Sequence, residues 1–173
     1  MSNLTLTAGV GRTNITPPIG TRMLGYILRI EPAIGIASQL YCTVLVLADE
    51  RAKVAIIDCD LATFTVARAD EIRQQVADAI GTSLSHVLLA YSHTHNGPLV
   101  EAGRLFELTE VEQYYIANLA HYIVSAAKMA DANRKPARIA ADSGSAPVAI
   151  NRIETLPDNT VILGQNPQGV TDH

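Results

Sequence analysis

The chain has 173 residues, a length that fits one domain or a large part of a bigger one. Apolar residues make up 48% and charged residues 17%, with a net charge of −4, so the composition is that of a globular protein rather than a disordered one. The lack of Lys/Arg clusters and of Trp argues against a nucleic-acid partner, and the longest apolar runs are too short for a transmembrane segment.

The first 40 residues are rich in turn formers and show no regular period, so we expect a loop. Within residues 9–20, Pro18 fixes φ and lacks a backbone donor, and Gly20 frees the backbone again. Residues 23–26 continue in the same irregular style.

Two buried strands joined by a hairpin follow. Residues 40–47 and residues 54–60 are apolar runs rich in β-branched side chains, and the linker between them is polar. Cys42 and Cys59 lie in these runs without the spacing of a thiolate metal site. We favour two buried thiols in a reducing compartment over a disulfide. Since residues 1–7 lack the features of a signal peptide, we expect a cytoplasmic protein.

Two helices are predicted, with a strand between them. Apolar residues at positions 66, 69, 72, 76 and 80 recur with a helical period, and Gly81 follows as the C-cap. Residues 86–91 are typical of a strand. Thr109, with Glu112 three residues later, has the capping-box signature of a long helix that Pro136 ends.

The last 40 residues contain three further short apolar runs, at 137–141, 148–150 and 161–163, which predict strands. The order of elements predicts an α/β fold, a mixed sheet with an N-terminal β-hairpin and helices packed on it. Residues 164–173 are polar and rich in turn formers, so we expect residues 1–173 to be a single domain whose fold is incomplete at the C-terminus.

His93 and His95 come directly after the predicted strand 86–91. Side chains alternate along an extended backbone, so this spacing predicts both imidazoles on one face, at the C-terminal end of a central strand. Ligands collect at that end of open α/β sheets. Neighbouring imidazoles repel each other when charged, which favours the neutral form that binds metals. Zinc suits such ligands, and a catalytic zinc usually takes three protein ligands and a water.

The spacing of the two histidines does not name an enzyme, and a pair of polar residues on an exposed turn is the alternative. Metallo-β-lactamase folds need an acid and a histidine where Gly97 and Pro98 stand, so they are excluded. Amidohydrolase barrels carry a His-x-His pair on their first strand, whereas a hairpin and a helix precede the pair here.

Four segments resemble the neutral/alkaline ceramidase family and occur in the family's order, namely residues 9–26, 92–98, 150–152 and 164–172. Enzymes of that family are zinc-dependent amidases that cut the N-acyl bond of ceramide. The resemblance implies that His93 is a zinc ligand and that His95 and Arg152 act on the substrate in the same pocket. Asn96 stands where the family usually has a serine, which leaves the imidazoles in place.

The resemblance also implies an incomplete metal site, because the family's other zinc ligands lie past the segment similar to residues 164–172. We therefore expect the N-terminal part of a zinc-dependent hydrolase that acts on a small-molecule or lipid amide, such as a ceramide-like substrate. One alternative is a metal-dependent hydrolase of another amide or ester. Another is a non-catalytic fragment or binding domain. The alternative for Arg152 is an ordinary solvated arginine with no role at the site. Asp60 is expected to support the site or to cap a loop.

Overall fold

The computed structural model describes residues 5–26, 28–101 and 107–171. The chain divides into two compact units, Met1–Arg138 and Ile139–His173. No helix within the described residues is long and apolar enough to span a membrane.

The first unit is built on a five-stranded mixed sheet. Its strands are β1 (Thr7–Asn14), β2 (Tyr41–Ala48), β3 (Lys53–Cys59), β4 (Val87–Tyr91) and β5 (Lys135–Pro136), in the order β4-β3-β2-β1-β5. All neighbouring strands are antiparallel except β3 and β4, which are parallel. The predicted hairpin is confirmed as β2 and β3, and the mixed α/β class is confirmed with it.

The described residues of the first unit also form two helices, and both match the sequence prediction. Helix α1 (Val66–Ile80) ends at Gly81, whose φ of 69° is the left-handed conformation that favours glycine at a C-cap. Helix α2 (Glu110–Ala132) begins with the complete capping box of Thr109 and Glu112. A short 3-10 turn (Leu84–His86) leads into β4.

One hydrophobic core joins the helices to the sheet. Every second side chain of β2 is buried, which is the pattern of a strand with one covered face. These side chains share a core with buried residues of α1 and α2. Cys42 and Cys59 lie opposite each other in this core as free, buried thiols, as predicted. A hydrogen bond with Cys42, together with burial, raises the pKa of the Cys59 thiol.

The expectation of a loop over the first 40 residues is wrong for β1. Gly9 and Gly11 interrupt the apolar pattern of this segment, which conceals the strand. In the structure the same glycines let the strand lie directly against α2, because a Cβ on Gly11 would lie 2.0 Å from the carbonyl oxygen of Ala126. The strand is therefore stabilised by its contact with α2, which the pattern of its own side chains does not predict.

The second unit is a small antiparallel sheet of β6 (Asn151–Thr155) and β7 (Val161–Asn166). The predicted strand at 161–163 is confirmed within β7, but the strands predicted at 137–141 and 148–150 do not form. Ile139 is 71% exposed and Val148 is 89% exposed, so neither run has a surface to pack against. Strand propensity without a packing partner does not produce a strand.

Candidate active site

The loop that carries His93 and His95 follows β4, so the pair lies at the C-terminal end of a strand, as predicted. The prediction of a central strand is wrong for the described residues, because among their strands β4 lies at the edge of the sheet. The loop is held to the neighbouring strand β3 through the bond that Ser92 N donates to Cys59 O, with a length of 3.0 Å. The end of β4 thus fixes where both histidines begin.

The two imidazoles lie side by side, with ring centroids 5.2 Å apart and ring planes inclined at 69°. Strand alternation is not the cause, because His93 has a φ of 54° and the backbone leaves the extended conformation there. A positive φ is uncommon in residues other than glycine, and such backbone conformations cluster at functional sites. A turn, and not the period of a strand, therefore brings the rings together.

The His93 ring is oriented by a hydrogen bond 2.8 Å long between Nδ1 and the backbone carbonyl of Ala62. Because a carbonyl can only accept, Nδ1 carries the hydrogen. In the neutral ring Nε2 then keeps a free lone pair. Metal-binding histidines in proteins are commonly held in this way, with one nitrogen anchored and the other available. The His93 side chain is also exposed, so a ligand can reach it.

The His95 ring packs on Gly25 and Tyr26, which belong to the segment between β1 and β2. Gly25 lies against it with a φ of 115°, and a Cβ there would lie 2.4 Å from Cγ of His95. Tyr26 contacts the same ring edge to face, with centroids 5.1 Å apart. Only glycine combines this backbone angle with such a close approach. The position of the His95 ring therefore depends on Gly25.

Arg29 joins the two segments of the site and was not identified from the sequence. Its Nη2 donates to the carbonyl oxygens of Leu24, at 2.7 Å, and of His95, at 2.5 Å. The same guanidinium lies 5.0 Å from the centroid of the Tyr26 ring. Arginine can hold several acceptors at once because its donors form a rigid fork. No motif marks this residue, since the carbonyls that it binds become neighbours only on folding.

Two other residues singled out in the sequence have different positions. Asp60 accepts a 2.9 Å hydrogen bond from Tyr41 N and donates one from its own backbone to Tyr41 O, so it caps the start of β2. Arg152 lies on β6 in the second unit, where its side chain is exposed and donates to the carbonyl of Gly164. Its role at the site stays a prediction.

The described residues do not complete a metal site. Within the three described segments, no group of three or more His, Cys, Asp or Glu side chains could hold a metal ion. His93 fits the role of one ligand, and His95 lies beside it. A catalytic zinc usually needs three protein ligands, so the described side chains fall short of a full set.

Replacing Gly25 by alanine is expected to displace His95. The substitution adds backbone strain of about 1 kcal/mol at positive φ, and the clash with the ring adds roughly 1–3 kcal/mol. NMR spectra of the imidazole protons should show large shifts for His95 and His93, with a lower melting temperature. Gly20→Ala is the matched control, because Gly20 also has positive φ (94°) but has open space around its Cβ position. Equal effects of the two substitutions would show that Gly25 does not position the ring.

Comparison with known proteins supports the fold. No family model matches the chain, and no curated protein matches it. Solved structures do match, among them a neutral ceramidase from Pseudomonas aeruginosa and a ceramidase complexed with C2. Each is 21% identical, superposes with a TM-score of 0.61 and covers 78% of this chain. The alignments cover 23% and 22% of those proteins, so the chain spans less than a quarter of their length. The fold of this chain is therefore similar to part of a neutral ceramidase.

Proposed function

We propose that residues 1–173 form the N-terminal part of the catalytic domain of a zinc-dependent hydrolase that cleaves a linear, ceramide-like amide. The observation that carries the proposal is the anchored imidazole of His93, which keeps Nε2 free beside His95. The ceramidase-like fold supports a hydrolase, and the ceramidase neighbours suggest an N-acyl amide as the substrate.

His93 is the proposed zinc ligand of this chain. Its Nδ1–H bond to Ala62 O fixes both the tautomer and the ring direction, which is what a ligand imidazole requires. When bound, zinc would supply an acidified water and would polarise the carbonyl of the amide. The remaining ligands have to come from residues other than those described, because these offer no third donor.

His95 and Arg152 are the proposed substrate-binding residues. The His95 ring lies 5.2 Å from that of His93, close enough to hydrogen-bond an oxygen held at the same place. The guanidinium of Arg152 would offer two parallel donors to the oxyanion or to a substrate hydroxyl. Both residues would thus stabilise the charge that develops when an amide carbonyl is attacked.

Two other functions are compatible with parts of the structure. A metal-dependent hydrolase of another amide or ester would use the same residues, because a fold does not fix a substrate. A non-catalytic fragment or binding domain is favoured by the lack of a third ligand among the described side chains. Zinc binding and turnover separate this last possibility from the enzymes.

Zinc titration of the purified chain tests the proposal. We expect weak, one-to-one binding by calorimetry, and at least about a tenfold loss of affinity in His93→Ala, since even the partners of ligand histidines are worth that much. The isolated chain should hydrolyse N-acyl amides little or not at all, because its ligand set is incomplete.

His121→Ala is the matched control, because His121 is an exposed histidine on α2. This variant should bind zinc as the wild type does. Unchanged zinc affinity in His93→Ala would remove His93 from the metal site, and full activity of the 173-residue chain would show that its ligand set is already complete.

A further inference from the structure

A cavity of about 190 Å³ lies in the first unit beside the loop of the two histidines. Three segments line it, within residues 16–23, 33–40 and 96–98. Asn96 follows His95 directly in the chain, and Met23 belongs to the segment whose next residues pack on the His95 ring. The loop that positions the imidazoles thus also forms one wall of the cavity.

The lining of the cavity is neutral, and two of its three hydroxyl groups, those of Thr16 and Thr21, are already occupied. No charged side chain is among the described residues that line it. The hydroxyl of Thr16 bonds to Gln39 Oε1 and to the backbone of Leu40, each at 2.8 Å. The hydroxyl of Thr21 donates to the carbonyl of Pro18 at 2.8 Å. With these two hydroxyls satisfied internally, the walls offer mainly the methyl and methylene groups of proline, isoleucine, methionine, alanine and leucine side chains, beside the polar side chains of Ser38 and Asn96. A mostly apolar lining favours an apolar occupant.

The cavity is formed before any ligand binds. Backbone hydrogen bonds connect its first two walls, from Gly20 N to Ala33 O at 2.8 Å and from Ala33 N to Thr21 O at 2.9 Å. A third, from Leu24 N to Gly97 O at 3.0 Å, ties the first wall to the histidine loop. Pro17 and Pro18 add two fixed backbone angles. Binding therefore needs little reorganisation of the walls.

The size of the cavity limits what it can hold. An engineered apolar cavity of about 150 Å³ in another protein takes up benzene, a molecule of six carbons. At about 190 Å³, this cavity is slightly larger than that one. Pockets for drug-sized ligands have about 300–1,000 Å³, so the walls described here do not enclose a long acyl chain.

We infer that this cavity binds a short apolar acyl group, of about six carbons, of the amide that the proposed hydrolase cleaves. The inference rests on the proposed function for the reaction, because the cavity borders the loop that carries His93 and His95. It adds the substrate class, a short-chain amide, which the ceramidase-like fold does not supply.

Binding of linear primary amides to the full 173-residue chain tests the inference without any need for turnover. Acetamide, butanamide, hexanamide and decanamide would be titrated while backbone amide signals are followed by NMR. Affinity should rise about fourfold for each added methylene that enters the cavity, and should level off near hexanamide, because further carbons stay in water. The largest shifts should fall on the amides of Ala33, Ser38 and Gly97.

Variants whose larger side chains fill the cavity provide a second test of the inference. Ala33→Leu and Ala37→Phe add bulk at two different positions in the wall, and each should weaken hexanamide binding at least tenfold. The NMR signals of residues away from the cavity should stay at their wild-type positions, which shows that the variants are folded. Ala67→Phe adds the same bulk at an exposed position of α1, away from the cavity lining, and should bind hexanamide as the wild type does.

Three results would overturn the inference: affinity that keeps rising to decanamide, shifts that fall outside the cavity, or filled variants that bind normally. None of them depends on zinc or on hydrolysis. A failure of the zinc titration together with cavity-specific amide binding would therefore reject the proposed reaction and leave the cavity's ligand class standing.

Discussion

Replacing Glu112 by glutamine is expected to lower the free energy of unfolding by about 3 kcal/mol, the lower end of what breaking a buried ion pair costs. The Glu112 side chain is fully buried and forms a 2.6 Å ion pair with Arg22. Its Oε2 accepts from both Arg22 Nη2 and Thr109 N. If the amide nitrogen of glutamine replaces that oxygen, it presents a donor to two donors, and Arg22 loses its counter-charge.

Loss of the ion pair should also disturb the histidine loop, because the carbonyl of Arg22 accepts a 2.8 Å hydrogen bond from Leu99 N at the end of that loop. Urea unfolding followed by circular dichroism measures the loss of stability. Glu110→Gln is the matched control, since Glu110 is an exposed glutamate in the same first turn of α2. A change below about 0.5 kcal/mol in Glu112→Gln, the range of an ordinary surface substitution, would show that the ion pair contributes nothing.

The same pair also makes the stability of the protein depend on pH. Hydrogen bonding from Arg22 lowers the pKa of Glu112 from 4.5 to about 2 in the folded chain. A carboxylate with a lowered pKa in the folded state stabilises the fold above its unfolded pKa, and that contribution is lost as the pH falls towards the folded pKa. The difference in unfolding free energy between the wild type and Glu112→Gln should therefore be full at pH 6 and should shrink between pH 4.5 and pH 2.

Gly11→Ala is expected to have a destabilising effect of about 3 kcal/mol, at the upper end for an overpacked core, or to prevent folding. The added Cβ would lie 2.0 Å from Ala126 O and 2.7 Å from Ala130 N, both backbone atoms of α2. A change of rotamer cannot relieve a clash between a Cβ and a helix backbone. Strand β1 and helix α2 would have to separate, which opens the core between them.

Chemical unfolding of Gly11→Ala and Gly35→Ala gives the comparison. Gly35 lies in the same unit, is exposed and has open space where a Cβ would lie, so its substitution should change stability by less than about 0.5 kcal/mol. Equal stability of the two variants would mean that β1 does not pack as closely on α2 as the structure shows.

Much of the fold was predictable where a local signal exists. The period of α1, the capping box of α2 and the apolar runs of β2 and β3 each depend on a few neighbouring residues, and each formed as predicted. The predictions at 137–141 and 148–150 were wrong. Pairing with β1 stops after β5 and the bond from Ala137 N to Leu6 O, and the exposed residues of both runs satisfy strand propensity without a packing partner. Strand β1 was missed for the opposite reason, since its stability comes from a partner and not from its own pattern.

The candidate site divides in the same way. The sequence by itself determined that two histidines follow a strand and are therefore held close together, because that depends only on chain connectivity. Tertiary structure alone decided that a turn at His93 brings the rings together, that Ala62 O orients one ring, and that Gly25 and Arg29 hold the other. These contacts join residues 31 to 70 positions apart in the chain. Backbone carbonyls and glycine hydrogens carry no side-chain signature, so a sequence pattern cannot show what they will touch.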